Sequence, residues 1–184
     1  MNTLQRGFTL IELVIVIIVL GVLSATALPR FLNLADDADI AVVEGTGGAL
    51  QSAVNLAHSK WVIMGSSTDL NLNNDVQLYG SGSEGLIDFN SAGWPAQSFV
   101  GTDKIITTDN RDDCISLWNT VLNTGGNKID KATGYNDDFT VVYGYFNDPA
   151  EPDGVCLYKR TSNLDLYIRY DSNNGSVTTH FKEK

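Results

Sequence analysis

The chain is 184 residues long, with 12 basic and 22 acidic residues and a formal net charge of −10. That length allows one domain of ordinary size. The acid excess excludes nucleic acid as the main partner, because phosphate binding needs a basic face.

Of the 21 positions from Phe8 to Leu28, 16 are Phe, Leu, Ile, Val or Ala, and the single charged one is Glu12. A helix of that length covers roughly 30 Å, the thickness of a bilayer core. A cleavable secretory signal is also apolar, and Ala25-Thr26-Ala27 has the form of its cleavage site. Its basic region would be only the Met1 amine and Arg6. A mid-membrane Asp or Lys costs about 2.5–3.5 kcal/mol on insertion, and Glu is comparable. A segment that is only discarded gains nothing from that cost, so Glu12 reads as a functional residue in a retained helix.

The run Arg6-Gly7-Phe8-Thr9-Leu10-Ile11-Glu12 resembles the processing motif of type IV prepilins and related pseudopilins. The stretch Pro29-Arg30-Phe31-Leu32-Asn33-Leu34 resembles the mannose-sensitive haemagglutinin branch of type IVa pilins, as does the Gly93-Trp94-Pro95 turn. The resemblance implies that residues 1–7 are a leader and that prepilin peptidase cuts between Gly7 and Phe8, then methylates the new Phe8 amine. Gly7 fits a peptidase site that takes a residue without a side chain. Losing Arg6 takes the side-chain charge from −10 to −11. Glu12 would then face the Phe8 amine of a neighbouring subunit, and charge neutralisation in an apolar bundle would select the axial register.

The resemblance further implies storage in the inner membrane, with the N-terminus cytoplasmic and the head periplasmic. From there the chain would enter a surface filament for adhesion and colonisation. Its partners would be itself or other pilins, a platform protein, an assembly ATPase and surface glycans. Two rivals stay open: a pseudopilin of a type II secretion system, and a membrane-anchored sugar- or calcium-binding module that never polymerises.

Residues 8–28 are thus expected to form a membrane and filament-core helix, and 29–65 its amphipathic continuation. Pro29 ends the apolar run and should kink the axis, because proline removes a helical hydrogen bond. Gly21, Ser24 and Thr26 weaken the helix before it. Beyond it, Val43, Gly47, Leu50, Val54, Ala57 and Trp61 form one helical stripe. Phe31, Leu34, Ala38, Val42, Gly45, Ala49, Ala53 and Leu56 form a second. Two stripes mean two buried sides, one on the subunit's own sheet and one on neighbours in a polymer. Gly45, Gly47 and Gly48 each cost a helix about 1 kcal/mol relative to Ala; a continuous, bent helix is expected. Asp36, Asp37 and Asp39 are assigned to a solvated face, with contact to a basic patch on another subunit as the alternative, and His58 to a partly buried structural role.

Residues 66–184 read as a globular head. Short strands are expected at 76–79, 86–89 and 104–107, and a helix over 112–123 with Asp109 to Asp113 as caps and Gly125-Gly126 as its end. Residues 139–181 read as a four-stranded antiparallel meander, with strands at 139–146, 155–160, 164–170 and 176–181. The expected class is α+β: a long N-terminal helix packed on a C-terminal antiparallel sheet, as in the type IV pilin fold.

Cys114 and Cys156 fall in the periplasmic part, where a disulfide is the natural state. A metal is disfavoured there, since two thiolates have no matching pair of histidines. No cofactor is implied. Calcium is a weak alternative at Asp148, Glu151 and Asp153, or at Asp109, Asp112 and Asp113, because Asp also builds caps and turns. Exposed Tyr145 and Tyr158 are candidates for glycan contact, with core packing favoured. Enzymatic chemistry is not expected. The two histidines, His58 and His180, are far apart in sequence, and Ser59 beside His58 cannot face it on a helix.

Overall fold

The computed structural model describes residues 7–65, 67–101, 105–122, 128–144 and 151–181, with the side chains of 29–33 outside that description. The chain divides into two units, Met1–Ala38 and Asp39–Lys184. Helix α1, Leu10–Ile63, supplies the backbone of the first and enters the second. It runs unbroken through Gly45, Gly47 and Gly48.

In the second unit the first stripe of α1 is buried from Val43 to Trp61. Gly47 is needed for contact rather than flexibility. A Cβ there would meet the Thr179 methyl and lie 3.8 Å from Ile168. Val43, Leu50 and Val54 join Leu117, Trp118, Val141, Tyr158, Ile168 and Tyr170 in the larger core cluster. Most of the second stripe is exposed in the single subunit, with Leu34 62% and Leu56 74% accessible.

The head contains two antiparallel sheets. After the single turn α2 (Leu70–Asn73), strands β1 (Val76–Gln77), β2 (Leu86–Phe89) and β3 (Pro95–Gln97) pair in sequence order. They pack Val76, Ile87 and Phe89 on Ala57 and Trp61 of α1. Helix α3 spans Arg111–Val121 and is opened by Asn110. The Asn110 side chain accepts from the Asp113 amide at 3.1 Å, and Asp113 returns the bond at 3.2 Å, a capping box. The meander β4 (Phe139–Tyr143), β5 (Val155–Arg160), β6 (Asn163–Asp171) and β7 (Ser176–His180) is the expected one. Its β6 alternation starts one step later than expected, because Leu164 is exposed while Leu166, Ile168 and Tyr170 are buried. The structure is therefore the α+β class read from the sequence.

Two polar attachments tie α1 to the meander. The Arg160 Nε donates to Asp39 at 2.8 Å and its Nη1 to Asp138, while the Ser162 hydroxyl donates to Asp39 at 2.7 Å. Gln51 accepts from the Val177 amide at 2.8 Å and donates to the Gly175 carbonyl at 3.1 Å. Asp39 is thus bound within its own fold, not on the solvated face assigned to it. Trp94 fills the junction of the two sheets, stacked on His58 at 3.9 Å between ring centroids. It lies over Gly175, where a Cβ would overlap the indole. His58 is half-buried, with Nδ1 2.7 Å from the Gly93 carbonyl oxygen, a structural histidine as expected.

Candidate processing and assembly segment

The segment around Gly7 and Phe8 precedes α1 directly. Phe8 is 88% exposed, and nothing lies within 4 Å of where a Gly7 Cβ would stand. Thr9 opens the helix. Its backbone amide donates to Glu12 Oε2 at 2.9 Å and its hydroxyl to the same oxygen at 2.8 Å. The Glu12 amide reaches the Thr9 hydroxyl oxygen at 3.3 Å. This is a reciprocal Thr-x-x-Glu capping box. It satisfies amides that a helix start leaves open, and it gives the carboxylate two donors inside an apolar segment, where a bare charge is expensive. Both bonds end on Oε2, so the lone pairs of Oε1 remain available to a further donor.

Thr9 was missed as a site residue by sequence reasoning, although the spacing Thr9 to Glu12 before an apolar run is the signal that marks it. Leu10–Leu28 is long and apolar enough to cross a membrane. The backbone of Pro29 lies inside α1, while its side chain is outside the described residues.

Cys114 on α3 and Cys156 on β5 are disulfide-bonded, with Cα atoms 5.6 Å apart. Of the calcium candidates, Asp148 lies outside the described residues. Glu151 accepts from Arg169 Nε at 2.8 Å, and Asp153 is placed to accept from the Tyr143 hydroxyl at 3.3 Å. Asp113 of the other acidic group serves the α3 cap. Among the described residues no three His, Cys, Asp or Glu side chains gather as metal ligands. Tyr145 lies outside the described residues. Tyr158 is fully buried and donates to the Cys114 carbonyl at 2.9 Å, so it cannot touch a surface glycan.

The chain thus combines a helix of membrane length, opened by a Thr–Glu box, with a disulfide-closed α+β head. Residues 2–28 match the prokaryotic N-terminal methylation motif. Over 52 residues the chain is 52% identical to the type IV narrow pilus major component PilA5 of Thermus thermophilus, covering 28% of this chain and 45% of that one. It is 45% identical over 64 residues to the type IV major pilin protein PilE1 of Neisseria gonorrhoeae, covering 33% and 39%. It is 29% identical over 100 residues to the type IV major fimbrial protein FimA of Dichelobacter nodosus, covering 47% and 62%. The chain thus spans less than two thirds of the length of these relatives. No solved structure matches it. In its N-terminal segment the chain is thus similar to type IV pilins.

Proposed function

We propose that this chain is a structural subunit of a type IV pilus, most like the mannose-sensitive haemagglutinin type. Prepilin peptidase cuts between Gly7 and Phe8 and methylates the Phe8 amine. The subunit waits in the inner membrane with its head in the periplasm, and an assembly ATPase and platform protein move it into a surface filament used for adhesion. The observation that carries the reading is the match of residues 2–28 to the N-terminal methylation motif, supported by the membrane-length span Leu10–Leu28. In the filament, Glu12 turns Oε1 to the Phe8 amine of a neighbour. The exposed stripe through Leu34, Val42 and Leu56 meets other subunits, while Pro29 marks a kink in the core helix.

The test is to shear surface filaments and weigh the intact chain. Material that begins at methylated Phe8 supports the reading. A chain that begins at Leu28, or sheared filaments that never contain it, would overturn it.

A further inference from the structure

The β6–β7 turn carries the pair Asn174-Gly175 between the closing strand partners Asp171 and Ser176. Asn174 is exposed and Gly175 is buried. Two observations make glycine obligatory at the second position. Its φ is +71°, which residues with a side chain rarely adopt, and a Cβ there would overlap the indole of Trp94. The fold therefore places after Asn174 the one residue that leaves its own backbone nitrogen unshielded.

The Asn174 side chain is held at both ends. The Ser176 amide donates to its Oδ1 at 2.9 Å, and its Nδ2 donates to Asp171 Oδ2 at 3.5 Å. The first of these closes an Asx turn, whose ring contains both Asn174 Cγ and the Gly175 nitrogen. It keeps the two atoms in one small loop, so their reaction needs no encounter. It also draws electrons from Cγ, as an oxyanion donor does. A brake opposes this. The Gly175 amide donates to the Asp171 carbonyl at 2.8 Å, which occupies the proton that must be lost. Gln51 of α1 grips the turn from outside, donating to the Gly175 carbonyl at 3.1 Å and accepting from the Val177 amide at 2.8 Å.

We propose that Asn174 is a self-modification site, at which the Gly175 nitrogen closes on the Asn174 side chain at a rate set by Gln51. The Gly175 nitrogen gives its proton to a solvent base and forms a bond to Cγ. The Cγ–Nδ2 bond breaks, and Nδ2 leaves as ammonia after taking a proton from water. Water then opens the five-membered imide at either carbonyl, which yields aspartate or isoaspartate at position 174. Nothing is oxidised or reduced. In isoaspartate the main chain runs through the side-chain carbons and is longer by one methylene. A turn closed at Asp171 and Ser176, with Gly175 seated beneath Trp94, cannot take up that atom and keep its contacts. The Gln51 bonds to Gly175 and Val177 are lost with it. The inference goes beyond the filament reading and does not depend on it.

The test keeps the full-length protein folded in detergent and mildly alkaline buffer. The peptide spanning the turn is weighed at intervals and assayed for isoaspartate. Position 174 should convert to a mixture of both acids at least tenfold faster than Asn173, whose following residue carries a Cβ. Gln51→Ala should raise the rate at least threefold. Gln51→Glu keeps the acceptor for Val177 and loses the donor to Gly175, so it reads the same gate if the alanine variant does not fold. Asn174→Gln should abolish conversion, because closure then needs a larger ring. Converted protein should melt at a lower temperature than fresh protein, whereas stored Asn174→Gln should melt as it did when fresh. The proposal is overturned if position 174 stays asparagine in the folded protein, if Asn173 converts as fast, or if the folded Gln51 variants convert no faster than the wild type.

Discussion

The Tyr158 hydroxyl donates a 2.9 Å hydrogen bond to the carbonyl of Cys114, whose sulfur is joined to Cys156 two positions before that tyrosine on the same strand. Strand side chains two apart share a face. β5 therefore grips α3 twice, once covalently and once through a buried phenol. Burial also raises the Tyr158 phenol far above its ordinary range, so it stays a donor at any physiological pH.

The double grip predicts the response to reduction. The disulfide closes a loop across a sequence separation of 42. Losing such a link costs about 2–4 kcal/mol in the loop-entropy account. Cys114→Ala with Cys156→Ala should lower thermal stability by that amount, while the Tyr158 contact keeps α3 docked. Tyr158→Phe should cost about 1 kcal/mol by deleting the buried hydrogen bond that crosses from β5 to α3. Chemical denaturation of the detergent-solubilised chain measures both. A Tyr158→Phe variant as stable as the wild type would show that this bond adds nothing to the docking of α3.

The glycines of α1 should separate by position. At Gly45 and Gly48 a Cβ meets nothing within 4 Å, whereas at Gly47 it meets the Thr179 methyl. Ala should therefore stabilise the subunit by about 0.5–1 kcal/mol at Gly45 or Gly48, from helix propensity alone. Gly47→Ala should forfeit that gain to displacement of β7. Melting curves of the three single variants decide, and equal gains at all three would refute the close approach.

Asp113 gives a pH signature. Burial pushes its carboxyl up to about 6, against the pull of the Asp109 and Asn110 amides that donate to it. A carboxyl with a raised folded-state pKa adds stability below its unfolded value and loses it as pH climbs through about 6. Between pH 5 and 7 the wild type should lose about 1 kcal/mol relative to Asp113→Asn, which cannot titrate. Asp39 acts in the opposite sense lower down. Hydrogen bonds from Ser162 and Arg160, with the Arg160 charge, hold its carboxyl below the usual range, so its contribution is lost only in stronger acid. Parallel wild-type and Asp113→Asn stability profiles from pH 5 to 7 would remove the assignment.

Glu12→Ala removes the carboxylate and half of the Thr9 box. On the proposed function the chain should still insert and be cut at Gly7, because the apolar run, Gly7 and Phe8 are intact. Filament yield should fall at least tenfold. Thr9→Ala should leave more assembly than Glu12→Ala, since it spares the charge. Immunoblots of sheared and membrane fractions read both, and normal filaments from Glu12→Ala would exclude a role for the carboxylate.

Some of this was legible because it is local and periodic. The apolar run, the stripe from Val43 to Trp61 and the alternation of β6 each announce their partner face. Other parts depended on distant chain. Asp39 looked like one of three solvated acids until Arg160 and Ser162 arrived from the β5–β6 hairpin. The expected strand at 104–107 is not seen over 105–107, which are irregular. The Thr108 hydroxyl instead donates to the Ala96 carbonyl at 2.7 Å, a side-chain bond beside β3. β3 itself is only Pro95–Gln97, too short for any alternation and opened by a proline. Asn174-Gly175 is an ordinary turn in sequence, and only Trp94 and Gln51, from distant chain, show what holds it.

The two attachments of α1, at Asp39 and at Gln51, are twelve residues apart. At 1.5 Å per residue that is about 18 Å of helix. A rod held at one point pivots; a rod held at two points that far apart does not. The helix between them cannot swing independently of the meander, so a torque applied to that stretch is delivered to the head as a whole.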